Sequence, residues 1–306
     1  MGKGEQTMIR VLGLGDNVVD KYMHTMTMYP GGNALNFAVY AKLFGCEAGY
    51  MGNFGDDQEA GHVYDTIAAL GLDVSRCRFW KGENGAAKVK LVNGDRVFID
   101  SNKGGVSLTY PLDLTRMDRE YITGYDMVHT SIFSYIEAQL PVLGEWAAFL
   151  SMDFSNRASL EYLKETCPYI DCACVSCGED MSEQEIRNQI RDIISYGCRH
   201  MVIATRGAKG AFVYVDGNIY KQPPCLVKAK DTMGAGDSFI TCFLVSYLDG
   251  MKYAVDFPDN SEMSGITGAK EYKDMVIKTS LYKAAVYSSQ NCQKDGSFGF
   301  GKKFKE

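Results

Sequence analysis

Residues 231–239, reading Asp-Thr-Met-Gly-Ala-Gly-Asp-Ser-Phe, join a carboxylate to a run of small residues just ahead of an apolar segment that reaches Leu248. Small residues leading into a helix leave main-chain N–H groups unpaired at the positive end of the helix dipole. With no side chain at Gly234 or Gly236, an anion could approach those groups closely. Asp237, in the first turn, could take the proton of a hydroxyl lying beside that anion. A hydroxyl, a base and a cradle for transferred charge are the parts of a phosphoryl transfer, with Gly234, Ala235 and Gly236 as cradle and Asp237 as base. The plainer alternative leaves Asp237 as a helix cap and the glycines as a turn.

Two further stretches carry polar groups at useful places. Gly15-Asp16-Asn17-Val18-Val19-Asp20 reads as a strand end that delivers carboxylates to the open edge of a sheet, with Asp16 better suited to forming the turn. It is no dinucleotide fingerprint, because the third glycine would fall at Val18. In Pro30-Gly31-Gly32-Asn33-Ala34-Leu35-Asn36, the two glycines precede a helix expected over residues 34–44 and admit a ligand close to the backbone. Asn36 in its first turn can donate to and accept from a pair of hydroxyls, whereas Asn33 is the more natural cap. Thr205-Arg206-Gly207-Ala208-Lys209-Gly210 could hold nucleotide phosphates or merely connect a hairpin. No G-x-x-x-x-G-K-[ST] occurs, which excludes a P-loop kinase on motif grounds.

The elements that must position these groups alternate. Residues 8–14 read as a first buried strand and 48–51 as another, followed by a helix to Leu70. Strands are expected at 127–133, 151–154, 173–176 and 201–204, with a helix reaching Leu150, another from Ser159, and a further strand at 211–215. Repeated βα units mean a mostly parallel sheet with helices on both faces. Residues 88–99 form a hairpin pattern about Asn93-Gly94, which by itself buries too little to stand alone and must lie over something. The polar segment 251–275 reads as an insertion loop before a last helix from Met275 to about Ser289, and the tail 296–301 is too glycine-rich for regular structure.

With 306 residues the chain can bury a full α/β core, read as one domain over 1–306. A net charge of −6 without a basic stripe argues against nucleic acid, and no apolar run suggests a membrane span or signal peptide. Cys174-x-x-Cys177 resembles half a zinc site, but no second pair follows and the four histidines are scattered. Ten cysteines then read as buried, reduced thiols, which points to the cytoplasm.

The 231–239 stretch is the signature of the PfkB/ribokinase family of sugar kinases, and Gly31, Gly32 and Asn36 fit the family's Gly-Gly-x-x-x-Asn. The resemblance runs almost end to end, and it implies a ribokinase-like α/β fold with a small β lid from about 21–29 and 85–105. It further implies ATP and Mg²⁺ as cofactors. Asp20, Gly31, Gly32 and Asn36 would take the sugar, with Asp100 at the lid's return, and Thr205, Gly207 and Gly210 would contact ATP. Many members carry Asn-x-x-Glu where this chain has Ser176-Cys177-Gly178-Glu179, so only Glu179 remains for the metal, through water. Asp153-Phe-Ser-Asn156-Arg157 only approximates the Asp-x-Asn-x-Arg of many fructokinases. The loop after the last helix lines the adenine pocket in the family, where some members place a monovalent cation. Exposed lid edges could pair two copies of the chain. Within the family, residues 15–20, 31–36, 95–98, 125–129 and 231–240 look most like fructoselysine 6-kinases. Fructose, a sugar acid or a nucleoside remain alternative acceptors, as does a non-catalytic sugar- or nucleotide-binding role.

Overall fold

The computed structural model describes residues 8–92, 95–256 and 270–305. In chain order the first elements are β1 (Arg10–Gly15), β2 (Val18–Tyr22), β3 (Thr27–Gly31), α1 (Asn33–Leu43), β4 (Glu47–Phe54), α2 (Gln58–Ala69) and β5 (Arg78–Phe79). Then follow β6 (Ala86–Val92), β7 (Asp95–Ser101), α3 (Val106–Thr109), α4 (Arg116–Ile122), β8 (Met127–Ser131), α5 (Leu140–Trp146), β9 (Leu150–Asp153) and α6 (Leu160–Thr166). The remainder is β10 (Cys172–Ser176), α7 (Glu183–Ser195), β11 (Met201–Thr205), β12 (Ala211–Val215), β13 (Asn218–Gln222), α8 (Ala235–Asp256), α9 (Lys270–Asn291) and β14 (Lys302–Lys303).

Nine strands form the main sheet in the order β13-β12-β11-β10-β9-β8-β1-β4-β5, parallel except at the β11-β12-β13 edge. Its inner strands are apolar on both sides because helices cover both faces. Along β1, Val11 joins the core under α1, α8 and α9, while Leu12 and Leu14 join the core under α4 to α7. The same alternation sends Cys172 and Cys174 to one face, which is why their sulfurs lie 3.9 Å apart without a bond. All ten cysteines are free, and Cys225 is exposed, contrary to the expectation of burial. Helix α7 shows how sequence fixes a helix: Ser182 and Glu185 close a capping box, and Ile186, Ile190 and Ile193 bury one stripe. No helix among the described residues is long and apolar enough to cross a membrane.

The second sheet, β14-β3-β2-β6-β7, is the expected lid. The segment near residues 21–29 is not one strand: a turn with Met26 at φ 49° separates β2 from β3, and β14 of the tail pairs with β3. The turn at residues 93–94 and most of the expected 251–275 loop lie outside the described residues, although helix α8 runs on to Asp256 and α9 begins at Lys270. One further expectation is corrected. No helix reaches Leu150: Ala147 is already extended, and Leu150 is fully buried as the first residue of β9, opposite Val128.

β1 lies between β4, which follows it, and β8, which comes later from the other side. That reversal opens a crevice beyond the carboxyl ends of the strands, the place where open α/β sheets bind ligands. β2 and β3 leave the end of β1 and fold over this crevice.

Candidate active site

Asp16, at the end of β1, organises the crevice floor. Its carboxylate accepts from the N–H groups of Asn33 (2.7 Å) and Ala34 (3.1 Å) at the start of α1, and from the hydroxyls of Ser131 (2.7 Å) and Ser134 (3.0 Å). It thus serves the helix terminus rather than merely forming a turn. Asn33 is not a cap: its Nδ2 donates to Asp153 Oδ2 at 2.7 Å. Burial, with Asp237 adding to it, pushes the Asp153 carboxyl up to about 7.

Above this floor the lid and α8 bring three expected residues together. Asn36 Nδ2 donates to Asp237 Oδ2 at 2.5 Å and to Ser297 Oγ at 3.2 Å. Asn36 Oδ1 is buried with no hydrogen-bond partner among the described residues. Asp20 projects from β2 and is 4% exposed; no protein donor among the described residues reaches its carboxylate. Burial first, then the charges of Asp231 and Asp237, push the Asp20 carboxyl up to about 7 against the opposing pull of Arg96. Gly31 sits across from it because a Cβ there would lie 2.6 Å from Asp20 Oδ2. Asp237 keeps partial exposure, and burial raises its carboxyl to about 6 despite the Asn36 bond and Arg96.

The cradle is built as its residue types demand. Gly234 has φ +71°, and a Cβ there would strike Tyr40 Oη at 2.3 Å. A Cβ at Gly236 would meet nothing within 4 Å. The N–H groups of Gly234, Gly236 and Asp237 have no partner among the described residues. Ala235 departs from the expected cradle in that its N–H is spent on Thr232 O at 3.2 Å. On the far side of α8's start, Ala235 and Gly236 line a cavity of about 390 Å³ together with Thr205, Gly207, Gly210 and Glu179. Gly210 has a structural reason of its own, since a Cβ there would lie 2.1 Å from Gln222 O.

Residues 5–256 match the pfkB family of carbohydrate kinases. The chain belongs to that family. It is 36% identical to the fructosamine kinase FrlD of Bacillus subtilis over 96% of this chain and 94% of that one. It is 31% identical to the fructoselysine 6-kinase of Escherichia coli, covering 78% of this chain and 89% of the relative. The fold matches the ribokinase of Arabidopsis thaliana solved with ribose and ATP (TM-score 0.72, 16% identity, 95% of each chain). It also matches the aminoimidazole riboside kinase of Salmonella enterica (TM-score 0.68, 17% identity, 94% of this chain and 95% of that one). The protein is a carbohydrate kinase, a phosphotransferase of ribokinase-like fold.

Within this kinase the expected residues divide. Asp20, Gly31, Asn36, Gly234 and Asp237 meet at the crevice, and Gly32, at φ +115°, abuts Asp16. Asp100 is separated from them. It pairs with Lys88 in register with Lys21, on the face opposite to Asp20, and among the described residues its exposed carboxylate accepts only the neighbouring Ser101 N–H at 2.8 Å. The reason is period two: Asp20 and Lys21 point to opposite sides of the lid, and Asp100 follows Lys21. Asp231, Ser297 and Arg96 were not singled out by sequence reading. Asp231 is fully buried and accepts from Tyr22 Oη (2.6 Å), Met233 N (2.9 Å) and Gly296 N (2.8 Å), tying lid, cradle and tail together. Its place at the head of the 231–239 stretch was the available signal; Ser297 and Arg96 meet the site only through tertiary contacts.

Proposed function

We propose that this kinase transfers the γ-phosphoryl group of ATP to a primary hydroxyl of a sugar–amine adduct of the fructoselysine type, with Asp237 as general base. The observation that carries the reading is the placement of Asp237: a recessed carboxylate held by Asn36 at 2.5 Å, beside main-chain N–H groups that no described residue accepts from. The hydroxyl oxygen bonds to the γ-phosphorus as the bond to the leaving diphosphate breaks, and its proton passes to Asp237. Asp20 and the unpartnered Oδ1 of Asn36 accept sugar hydroxyls, Gly31 and Gly32 leave the sugar room, and Gly234, Gly236 and Asp237 N–H groups take up developing charge. Thr205, Gly207 and Gly210 border the nucleotide cavity. A crevice holding Asp20, Asp153 and Asp237 suits an acceptor that brings a protonated amine of its own, as the relatives named for fructoselysine and fructosamine do.

Among the described residues no three His, Cys, Asp or Glu side chains gather as a metal cage. Mg²⁺ needs none, because it keeps several waters and binds phosphate oxygens, so the single carboxylate of Glu179 on the cavity wall fits it. The ion would neutralise charge on the nucleotide phosphates. The edge strand β7 exposes Val97, Phe98 and Ile99, which supports pairing of two lids in a homodimer, checked by sedimentation. A screen for ADP release with fructoselysine, fructose and ribose tests the acceptor. Turnover with ribose or fructose at least tenfold faster than with fructoselysine would remove the adduct assignment.

A further inference from the structure

A small apolar cluster, separate from both cores of the main sheet, joins Tyr22 and Val89 of the lid to Met233. Met233 immediately precedes Gly234, so the lid packs on the residue that leads into the unpartnered N–H groups. Tyr22 is buried, and its hydroxyl donates to Asp231 Oδ2 at 2.6 Å. Burial first, then the bond to Asp231, hold this phenol well above its ordinary range, so it stays a donor. Asp231 in turn accepts Met233 N at 2.9 Å and Gly296 N at 2.8 Å. A fully buried carboxylate that loses one of three donors must shift or recruit another, and its remaining partners shift with it.

Two routes run from the proposed sugar ligands to this carboxylate. Asp20 and Tyr22 lie two residues apart on β2, hence on one face of it, so fixing Asp20 fixes the strand that carries the phenol. Asn36 donates to Ser297 Oγ, on the residue after Gly296. Both routes end at Asp231, one hydrogen bond from Met233 and the turn into Gly234. A ligand that orders one end of such a network lowers the cost of ordering the other, and the coupling is reciprocal.

We propose that Tyr22 is a positioning residue that couples the two substrates: through Asp231 it transmits occupation of the sugar side to the main-chain donors of Gly234, Gly236 and Asp237. This rests on the reading that puts the sugar at Asp20 and Asn36 and phosphoryl transfer at the cradle. Tyr22 exchanges no proton with either substrate; it sets where the donors stand as charge develops.

The test uses the full-length enzyme and whichever of fructoselysine, fructose and ribose gives the fastest ADP release. It measures kcat at saturation, the affinity of a non-hydrolysable ATP analogue with and without that sugar, and thermal unfolding. The wild type should bind the analogue about 5–50-fold more tightly when the sugar is present, and the sugar more tightly by the same factor when the analogue is present. Tyr22→Phe keeps the ring in its cluster and removes only the hydroxyl. It should bring this factor within about twofold of unity and lower kcat about 10–100-fold, with sugar affinity in the absence of nucleotide changed less than about threefold. Val89→Ala loosens the same cluster but spares the phenol–carboxylate bond, so it should lower the melting temperature yet keep the factor within about twofold of the wild type. Wild-type kcat and coupling in Tyr22→Phe, an equal loss of coupling in Val89→Ala, or a wild type without coupling would overturn the proposal. Asp237→Asn assayed in parallel judges the underlying reading: full turnover there removes the base, while the binding factor in Tyr22→Phe still decides the coupling.

Discussion

The two sides of the α8 terminus are built on opposite plans. The side proposed for the sugar is a set of polar groups fixed from several elements at once: Asn36 on α1, Asp20 on β2, Asp237 on α8 and Ser297 in the tail. The side proposed for the nucleotide is a space, walled by Gly207, Gly210, Ala235, Gly236, prolines and mostly uncharged side chains, with one arginine. The first plan recognises by hydrogen bonds, so changing the chemistry of a residue there matters even at constant size. The second recognises by shape and main-chain donors, so changing size matters even when chemistry is untouched.

Substitutions can break this contrast, and the largest effect belongs to the base. Asp237→Asn is isosteric, keeps a partner for Asn36 and removes only the proton acceptor. A loss of about 10³–10⁴-fold in kcat is expected, with sugar and nucleotide affinities within a few-fold, measured by steady-state turnover and calorimetry. In the wild type, kcat/KM for the sugar should fall as pH drops through about 7, where Asp20 takes up a proton, and more steeply below about 6, where Asp237 does; in Asp20→Asn the fall through about 6 should remain, and a flat profile of that variant down to pH 5 would count against Asp237 as base. The next effect separates two glycines of one motif. Gly236→Ala puts a methyl into open space, so the fold should be as stable as before while kcat/KM for ATP falls about 10–100-fold. Gly234→Ala instead forces Tyr40 and the Ser297 backbone apart, and should cost about 2 kcal/mol or more in chemical denaturation. If both variants lose stability alike, the cradle is a structural turn and its openness means nothing.

Much of the architecture was legible because it is written in periodicity and small-residue signatures. The alternation of apolar strands with helices gave the parallel sheet, and Gly31-Gly32 and Gly234 announced backbones that a Cβ would obstruct. What was not legible has a common cause. Asp100, expected to reach the sugar from the lid's return, lies on the face opposite to Asp20 because the face of a lid strand depends on register, and a bulge between Lys88 and Val89 shifts it. The helix expected up to Leu150 was drawn too long, because it ends at Trp146 and Leu150 belongs to a four-residue strand too short to show a period. Arg96 and Ser297 lie 141 and 60 residues from Asp237 in the chain, and only the packing of lid and tail against α8 gives them a part. By contrast Asp16 was seen but given too small a part, since its four donors come from α1, from the end of β8 and from the segment after it rather than from its own turn.

The smallest effect tests whether the sugar side costs the ligand-free protein stability. Asp20 is buried with no donor among the described residues, and its carboxyl is raised from 3.8 to about 7 in the fold. A raised carboxyl binds its proton more tightly folded than unfolded, so its contribution is fully present below about pH 4 and is lost as pH rises to about 7. Asp237, raised to about 6, acts in the same direction within that window. The wild-type melting temperature should therefore decline between pH 4 and 8 more than that of Asp20→Asn, which stays neutral throughout. At pH 8 the variant should melt a few degrees higher, and at pH 4 the two should agree within about a degree. The same substitution should weaken sugar binding by about 10–100-fold, because it removes a charged acceptor of hydroxyl hydrogen bonds. Wild-type sugar affinity should correspondingly fall as pH drops through about 7, since bound hydroxyls favour the ionised Asp20. A variant both less stable at pH 8 and unimpaired in sugar binding would make Asp20 a structural residue, leaving Asn36 and Asp237 to define the acceptor site without it.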